Sequence, residues 1–209
     1  MQEHALLQVE EDNFKPLELL HHLTSGAKAL GTEMMYNGVD ELRQSCGGAG
    51  FLLSSGIADW WSDAAPLPTF EGVNVVMFQQ STRMLLKQAK KIAAGKKPLD
   101  FFAYLSQDNS GTAQNATVEQ FLDLDFLEKT LAVRAAQKVK EVSIMMEEST
   151  ASHREKENDL FTIDLIRMAR LHIIYFEFRI CNDRIKQQKF VDPNVKKLIQ
   201  IIFRIFALK

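Results

Sequence analysis

Large apolar residues recur at spacings of three and four along most of this chain, and the runs are punctuated by its five prolines, Pro16, Pro66, Pro68, Pro98 and Pro193. That period is the signature of α-helices with one buried face. A first helix is predicted from about Leu17 to Ser45, with Gly26 and Gly31 inside it, and a stop at Gly47-Gly48, because glycine accepts the left-handed conformation that ends helices. The stretch from Phe51 to Thr69, carrying Trp60, Trp61, Pro66 and Pro68, reads as a loop. A second helix is predicted from near Glu71, with Val75, Phe78, Thr82, Leu85, Ala89 and Ile92 on one face, ending at Gly95-Lys96-Lys97-Pro98. Leu124, Leu127, Leu131, Ala135, Val139, Val142 and Met145 mark a third helix. Leu160, Ile163, Ile166, Ala169, Ile173, Phe176 and Ile180 mark a fourth. Asp192-Pro193 is an N-cap followed by proline at the first helical position. It opens a fifth helix with Val195, Leu198, Ile199, Ile202, Ile205 and Phe206. No segment alternates as a strand does.

The fold class is therefore all-α, a helical bundle architecture of about five long helices in two parts. A polar segment from Ser106 to Thr117 is the natural boundary, giving predicted domains at 1–105 and 106–209. The fifth helix stays strongly apolar to its end and calls for a partner surface.

Composition narrows the function classes. Apolar residues make up 46% of 209 and charged residues 25%, as in a globular protein with a substantial core. Lys and Arg number 25 against 27 Asp and Glu, so no global field argues for nucleic acid or an anionic membrane. The longest apolar tract near the C-terminus is broken by Arg204 and is too short for a membrane span. Cys46 and Cys181 form neither a disulfide framework nor a metal cluster, which fits a reducing compartment. Cys46 lacks a paired base and reads as a buried thiol. His21, His22, His153 and His172 have no metal-site spacing, so no metal is expected. Met1 to Asp12 is polar and acidic, without the apolar region of a signal peptide. Ala207-Leu208-Lys209 is not a Ser-Lys-Leu-type peroxisomal address. Asn115-Ala116-Thr117 reads as a chance sequon.

Candidate chemistry is concentrated between Cys46 and Arg83. Gly47, Gly48 and Gly50 follow a predicted helix, not a strand, and do not make the G-x-G-x-x-G dinucleotide fingerprint. By themselves they read as a helix cap and turn, where small residues let a backbone approach a ligand closely. Glu71, in Pro68-Thr69-Phe70-Glu71-Gly72, is by itself a carboxylate at a helix N-terminus, worth a fraction of a kcal/mol.

Taken in order, Cys46-Gly47-Gly48-Ala49-Gly50-Phe51 and Thr69-Phe70-Glu71-Gly72 resemble the catalytic segment of the acyl-CoA oxidases, the flavoenzymes of peroxisomal fatty-acid oxidation. Leu20-His21-His22-Leu23-Thr24-Ser25-Gly26-Ala27-Lys28-Ala29, Asn74, Gln79 through Arg83, Val133-Arg134-Ala135-Ala136 and Leu171-His172 extend the resemblance over nearly the whole chain. It is strongest from about 20 to 90. Val73 stands where many members have an acidic residue, and Ala49 where many have histidine.

The resemblance implies an FAD-dependent oxidase that converts acyl-CoA to trans-2-enoyl-CoA and reduces O2 to H2O2 in β-oxidation. Glu71 would be the base that removes the α proton. Its backbone N–H, with a flavin ribityl hydroxyl, would stabilise the developing enolate oxygen. Gly72 would lie against substrate. Gly47, Gly48 and Gly50 would lie along the adenosine-diphosphate part of FAD, from the neighbouring subunit of a homodimer. Arg83 would touch cofactor or a subunit interface, or stay on the surface. The location implied is the peroxisome. The family's N-terminal helical domain and β-barrel domain have no counterpart here. The chain is accordingly expected to be a fragment, a truncated isoform or an incomplete gene model, inactive by itself. The alternative is a non-catalytic helical partner of full-length oxidase subunits.

Overall fold

The structure, a computed structural model, describes residues 15–107, 116–188 and 192–208. Most of the polar boundary segment, Asn115, the acidic N-terminus and Lys209 lie outside these residues. Among the described residues all regular structure is helical. The helices of eight residues or more are α1 (Lys15–Ser45), α2 (Ile57–Ala64), α3 (Asn74–Ala93), α4 (Leu124–Glu148), α5 (Thr162–Gln187) and α6 (Pro193–Leu208), joined by short 3-10 and π segments and the single α-turn His153–Glu155. Five of the six are long, as the periodicity predicts. None of the described helices is long and apolar enough to cross a membrane. Two compact units result, Met1–Met84 and Leu85–Lys209, the division falling inside α3.

In the first unit, α1 buries Leu23, Ala29 and Leu30, and the first half of α3 buries Phe78 and Met84. The polar residues His22, Ser25, Asn74, Ser81 and Thr82 are buried with them. His22 Nδ1 lies 2.7 Å from the Ser81 carbonyl, so it carries the proton and donates. Burial pushes the His22 pKa down to about 4, with the nearby His21 adding to the effect. A histidine that stays neutral when folded but takes up a proton near pH 6.5 when unfolded makes folding pH-dependent. The stabilisation is complete above about pH 6.5 and is lost as pH falls toward about 4. That interval is worth on the order of 3 kcal/mol. Both tryptophans, Trp60 and Trp61, lie in this unit, so urea unfolding followed by tryptophan fluorescence reads it selectively. The midpoint should fall between pH 7 and pH 4.5, and His22→Gln should flatten much of that slope. An unchanged slope would refute the role given to His22.

The second unit is built on α4 against α5. Leu124, Leu127, Leu131, Ala132, Ala135 and Ala136 of α4 meet Tyr175, Phe178 and Ile185 of α5, with Tyr104 from the 3-10 segment Asp100–Ser106. The Tyr104 hydroxyl and His172 Nδ1 share a hydrogen bond of 2.6 Å, and burial raises the Tyr104 pKa so that it remains protonated. Two polar groups thus enter this core as a satisfied pair. The α5 face keeps Ala169, Ile173 and Phe176 of the predicted stripe, all buried, but departs from it elsewhere. Ile163 and Ile180 are exposed, and Leu160, which precedes the helix, is exposed too; Leu165, Met168, His172, Tyr175 and Asn182 are buried. Asn182 sits on that face because its amide donates to both Asp125 and Glu128 of α4, at 2.8 Å each. Polar residues on the inner face blur a purely apolar period.

The N-cap of α6 is as predicted, Asp192 Oδ1 accepting from Asn194 N at 2.8 Å. The helix packs Ile199, Phe203, Phe206 and Ala207 on the α4–α5 core, with Phe178 stacked 6.5 Å from Phe206. Its other side leaves Val195, Leu198, Ile201, Ile202, Ile205 and Leu208 exposed.

Candidate functional site

Helix α3 begins at Asn74, three residues later than the sequence predicts. The delay has a backbone cause. Glu71 has φ 56° and Gly72 has φ 102°, neither compatible with a right-handed helix. Glu71 is the sole non-glycine residue with positive φ among the described residues. Holding it there costs roughly 1–3 kcal/mol, and such strain tends to concentrate at functional positions.

The turn carrying it is closed from within and clamped from without. Phe70 N donates to Pro66 O at 3.0 Å, and Asn74 N reaches back to Pro68 O at 2.9 Å. From α1, Lys28 Nζ donates to the Gly72 carbonyl at 2.7 Å and to Asn74 Oδ1 at 2.9 Å. The Asn74 amide donates to Ala29 O at 2.9 Å and to Thr32 Oγ1 at 3.0 Å. Thr32 Oγ1 donates in turn to Lys28 O at 2.8 Å. A β-carbon on Gly72 would stand 2.5 Å from the Met77 methyl, the end of a flexible side chain that can move aside, so it is the φ of 102° that calls for glycine here. Glu71 is exposed. Its backbone N–H makes no hydrogen bond with any of the described residues. The arrangement presents a carboxylate and a free N–H donor from one strained residue on a fixed ledge.

The glycine segment is a second station. Gly47 has φ 57° and ends α1, as the sequence predicts. Cys46, expected to be buried, is exposed: the reversal at Gly47 leaves it beyond the helix end, its N–H capping Arg43 O at 3.3 Å. Gly47 and Gly48 face open space, with no atom within 4 Å of where a β-carbon would stand. Gly50 is buried differently, and a β-carbon there would lie 2.0 Å from the Arg43 carbonyl oxygen. Arg43 also covers the Phe51 ring at 5.3 Å and the Trp61 ring at 5.4 Å, braced by Asp40 at 2.8 Å. The supposed loop from Phe51 to Thr69 contains α2, which Gly56 starts in a left-handed conformation. Trp61 packs near Tyr36, while Trp60 and Arg83 are exposed.

Both stations rest on α1, the Glu71 turn at Lys28–Thr32 and the glycine segment at Arg43. At 1.5 Å per residue these anchors are roughly 20 Å apart along the helix. Glu71 and the glycines therefore do not form one cluster. The Lys28–Asn74–Thr32 network carries no local motif. Its partners are more than 40 residues apart in sequence, and only the small residues around Lys28 hint at close packing.

Two family models match the chain. The acyl-CoA oxidase C-alpha1 domain matches residues 1–86, and the acyl-CoA oxidase model matches 123–209. Mouse peroxisomal acyl-coenzyme A oxidase 1 is 29% identical over 96% of this chain and 31% of its own length. The bovine protein of that name is 28% identical over 97% of this chain and 32% of its own. The chain thus spans about a third of the relatives it matches. Among solved structures, acyl-CoA oxidase 1 of Arabidopsis thaliana superposes with a TM-score of 0.87, covering 99% of this chain and 31% of that one at 24% identity. Acyl-CoA oxidase-2 of Caenorhabditis elegans, bound with FAD, ascaroside-CoA and ATP, superposes at 0.83 with 25% identity, covering 98% of this chain and 30% of that one.

Proposed function

The chain belongs to the acyl-CoA oxidase family, and from that premise we propose that it supplies the base and part of the cofactor surface of an acyl-CoA-oxidising flavoenzyme. The observation that carries the reading is the strained Glu71, presented at the mouth of α3 with its N–H uncommitted. In the proposed reaction the Glu71 carboxylate removes the α proton of an acyl-CoA thioester. Its N–H, fixed by the same turn, donates to the thioester carbonyl as enolate charge develops there. Gly72 keeps the chain thin where substrate passes. The chemistry that bound FAD would supply is acceptance of hydride from the β carbon and return of the electrons to O2, which would give trans-2-enoyl-CoA and H2O2. Gly47 and Gly48 would hold the adenosine-diphosphate end of that cofactor, since their open backbone fits a flat ligand. Gly50 is adjacent to that contact, and its own demand is packing. Two stations roughly 20 Å apart along α1 suit different parts of the ligand set, in keeping with a homodimer whose glycine segment serves the neighbouring subunit. The relatives' names support a peroxisomal location.

The test is a chimera in which this chain replaces the matching third of mouse peroxisomal acyl-CoA oxidase 1. Peroxide formed on adding palmitoyl-CoA supports the assignment. A chimera that folds and binds FAD yet yields no peroxide overturns it.

A second reading rests on α6, whose exposed Val195, Leu198, Ile202 and Ile205 form a continuous apolar seam. On this reading the chain is a non-catalytic helical partner of full-length oxidase subunits. It should then co-purify with a full-length oxidase, and Ile202→Glu with Ile205→Glu should abolish the association. Retention by the double variant would exclude the seam.

A further inference from the structure

Lys28 stands in an electrostatically unfavourable place. It lies within hydrogen-bond reach of Asn74, the first residue of α3, and helix N-termini carry positive partial charge. A half-buried ammonium there is not explained by helix stability. What it does is specific: one nitrogen ties the Gly72 carbonyl and the Asn74 side chain together, at 2.7 and 2.9 Å. Both acceptors lie just beyond Glu71, and Asn74 is buried and held independently by Ala29 and Thr32. With Phe70 N held by Pro66 O before it and the Gly72 carbonyl and Asn74 held after it, the chain is anchored on both sides of Glu71, and the short span between the anchors cannot swing freely to relieve the φ of 56°.

We propose that Lys28 is a positioning residue whose ammonium, by clamping the Gly72 carbonyl to α1, keeps Glu71 in its left-handed conformation and so aims both its carboxylate and its unbonded N–H. The catalytic meaning of this clamp rests on the reading of Glu71 as base. The clamp itself does not, and it is measurable in the 209-residue chain without flavin.

The test is a double-mutant cycle on folding of the first unit, followed by tryptophan fluorescence, with Lys28→Met and Glu71→Gly. Glycine has no penalty at positive φ. If the clamp holds strain, Lys28→Met in the parent chain loses the clamp but regains the strain. In the Glu71→Gly background there is no strain to regain, so the same substitution should reduce the folding constant by a factor roughly five- to tenfold larger. Equal factors in the two backgrounds overturn the proposal. A residue that merely stabilises α1 would give equal factors. Should Lys28→Met prevent folding, Lys28→Arg serves instead, since its planar fork cannot place one nitrogen between the two oxygens. The expected coupling has the same sign and is smaller, and zero coupling again overturns the proposal. In the chimera, Lys28→Met should lower kcat much more than it changes KM for palmitoyl-CoA, with Lys28→Arg partly restoring it; an unchanged kcat overturns the positioning role. Absent coupling removes Lys28 but leaves Glu71 as base. A Glu71→Gln chimera that keeps its turnover removes the base reading whatever the cycle shows.

Discussion

Glu71→Gln is expected to reduce peroxide production by the chimeric oxidase by about 10²–10⁴-fold while leaving its bound flavin unchanged. The size follows from the role. An α proton of a thioester is weakly acidic, and a carboxamide of the same length cannot accept it at neutral pH. The substitution keeps side-chain volume and the backbone N–H, so donation to the thioester carbonyl persists and a residual rate remains. Glutamine meets the same strain at φ 56° as glutamate, and the exposed side chain makes no hydrogen bond within the described residues that the change would break. The fold should therefore be unaffected, and a fall in rate reports chemistry. Flavin absorbance establishes cofactor binding, and a peroxidase-coupled assay measures turnover. Near-normal peroxide output with flavin bound would remove Glu71 as the base. A preserved rate of substrate α-proton exchange in the variant would do so equally.

The helices were legible because each buries a face with a regular apolar period. The α4 stripe from Leu124 to Val142 is buried throughout. The α1 stop was legible because Gly47 takes the positive φ that a terminal glycine advertises. Three features were hidden for a common reason: the deciding contacts are distant in sequence. The α5 face includes Asn182 because Asp125 and Glu128 wait on α4. The Phe51–Thr69 stretch hides α2, whose Trp61 is held by Arg43 and packs near Tyr36 of α1. The late start of α3 reflects a glutamate in a conformation no propensity scale would assign it. Glu71 stands out in the sequence by its motif and its neighbours, while its strain and its Lys28 contact belong to the tertiary structure alone.

Gly50→Ala should be the most damaging small substitution in the glycine segment. The new methyl would sit 2.0 Å from the Arg43 carbonyl oxygen and 2.9 Å from its carbonyl carbon. Both are backbone atoms, so no side chain can swing aside. Relief requires unwinding the last turn of α1 or lifting the loop, and either releases Arg43 from the Phe51 and Trp61 rings. A loss of about 3 kcal/mol or more is expected, at the upper end of overpacking effects. Gly47→Ala should cost roughly 1–2 kcal/mol for its left-handed φ. Gly48→Ala, with open space around it and no positive φ, should stay within about 0.5 kcal/mol. Urea unfolding followed by tryptophan fluorescence ranks the three, and equal midpoints for Gly48→Ala and Gly50→Ala would refute the packing role of Gly50. The ranking also separates two demands that sequence cannot. A glycine required for folding fails in the isolated chain, whereas one required for a ligand fails only in the flavoenzyme. If Gly48 contacts FAD, then Gly48→Ala, harmless to the chain, should weaken flavin retention in the chimera. Unaltered retention would confine the cofactor role to Gly47 and leave Gly50 a residue of packing alone.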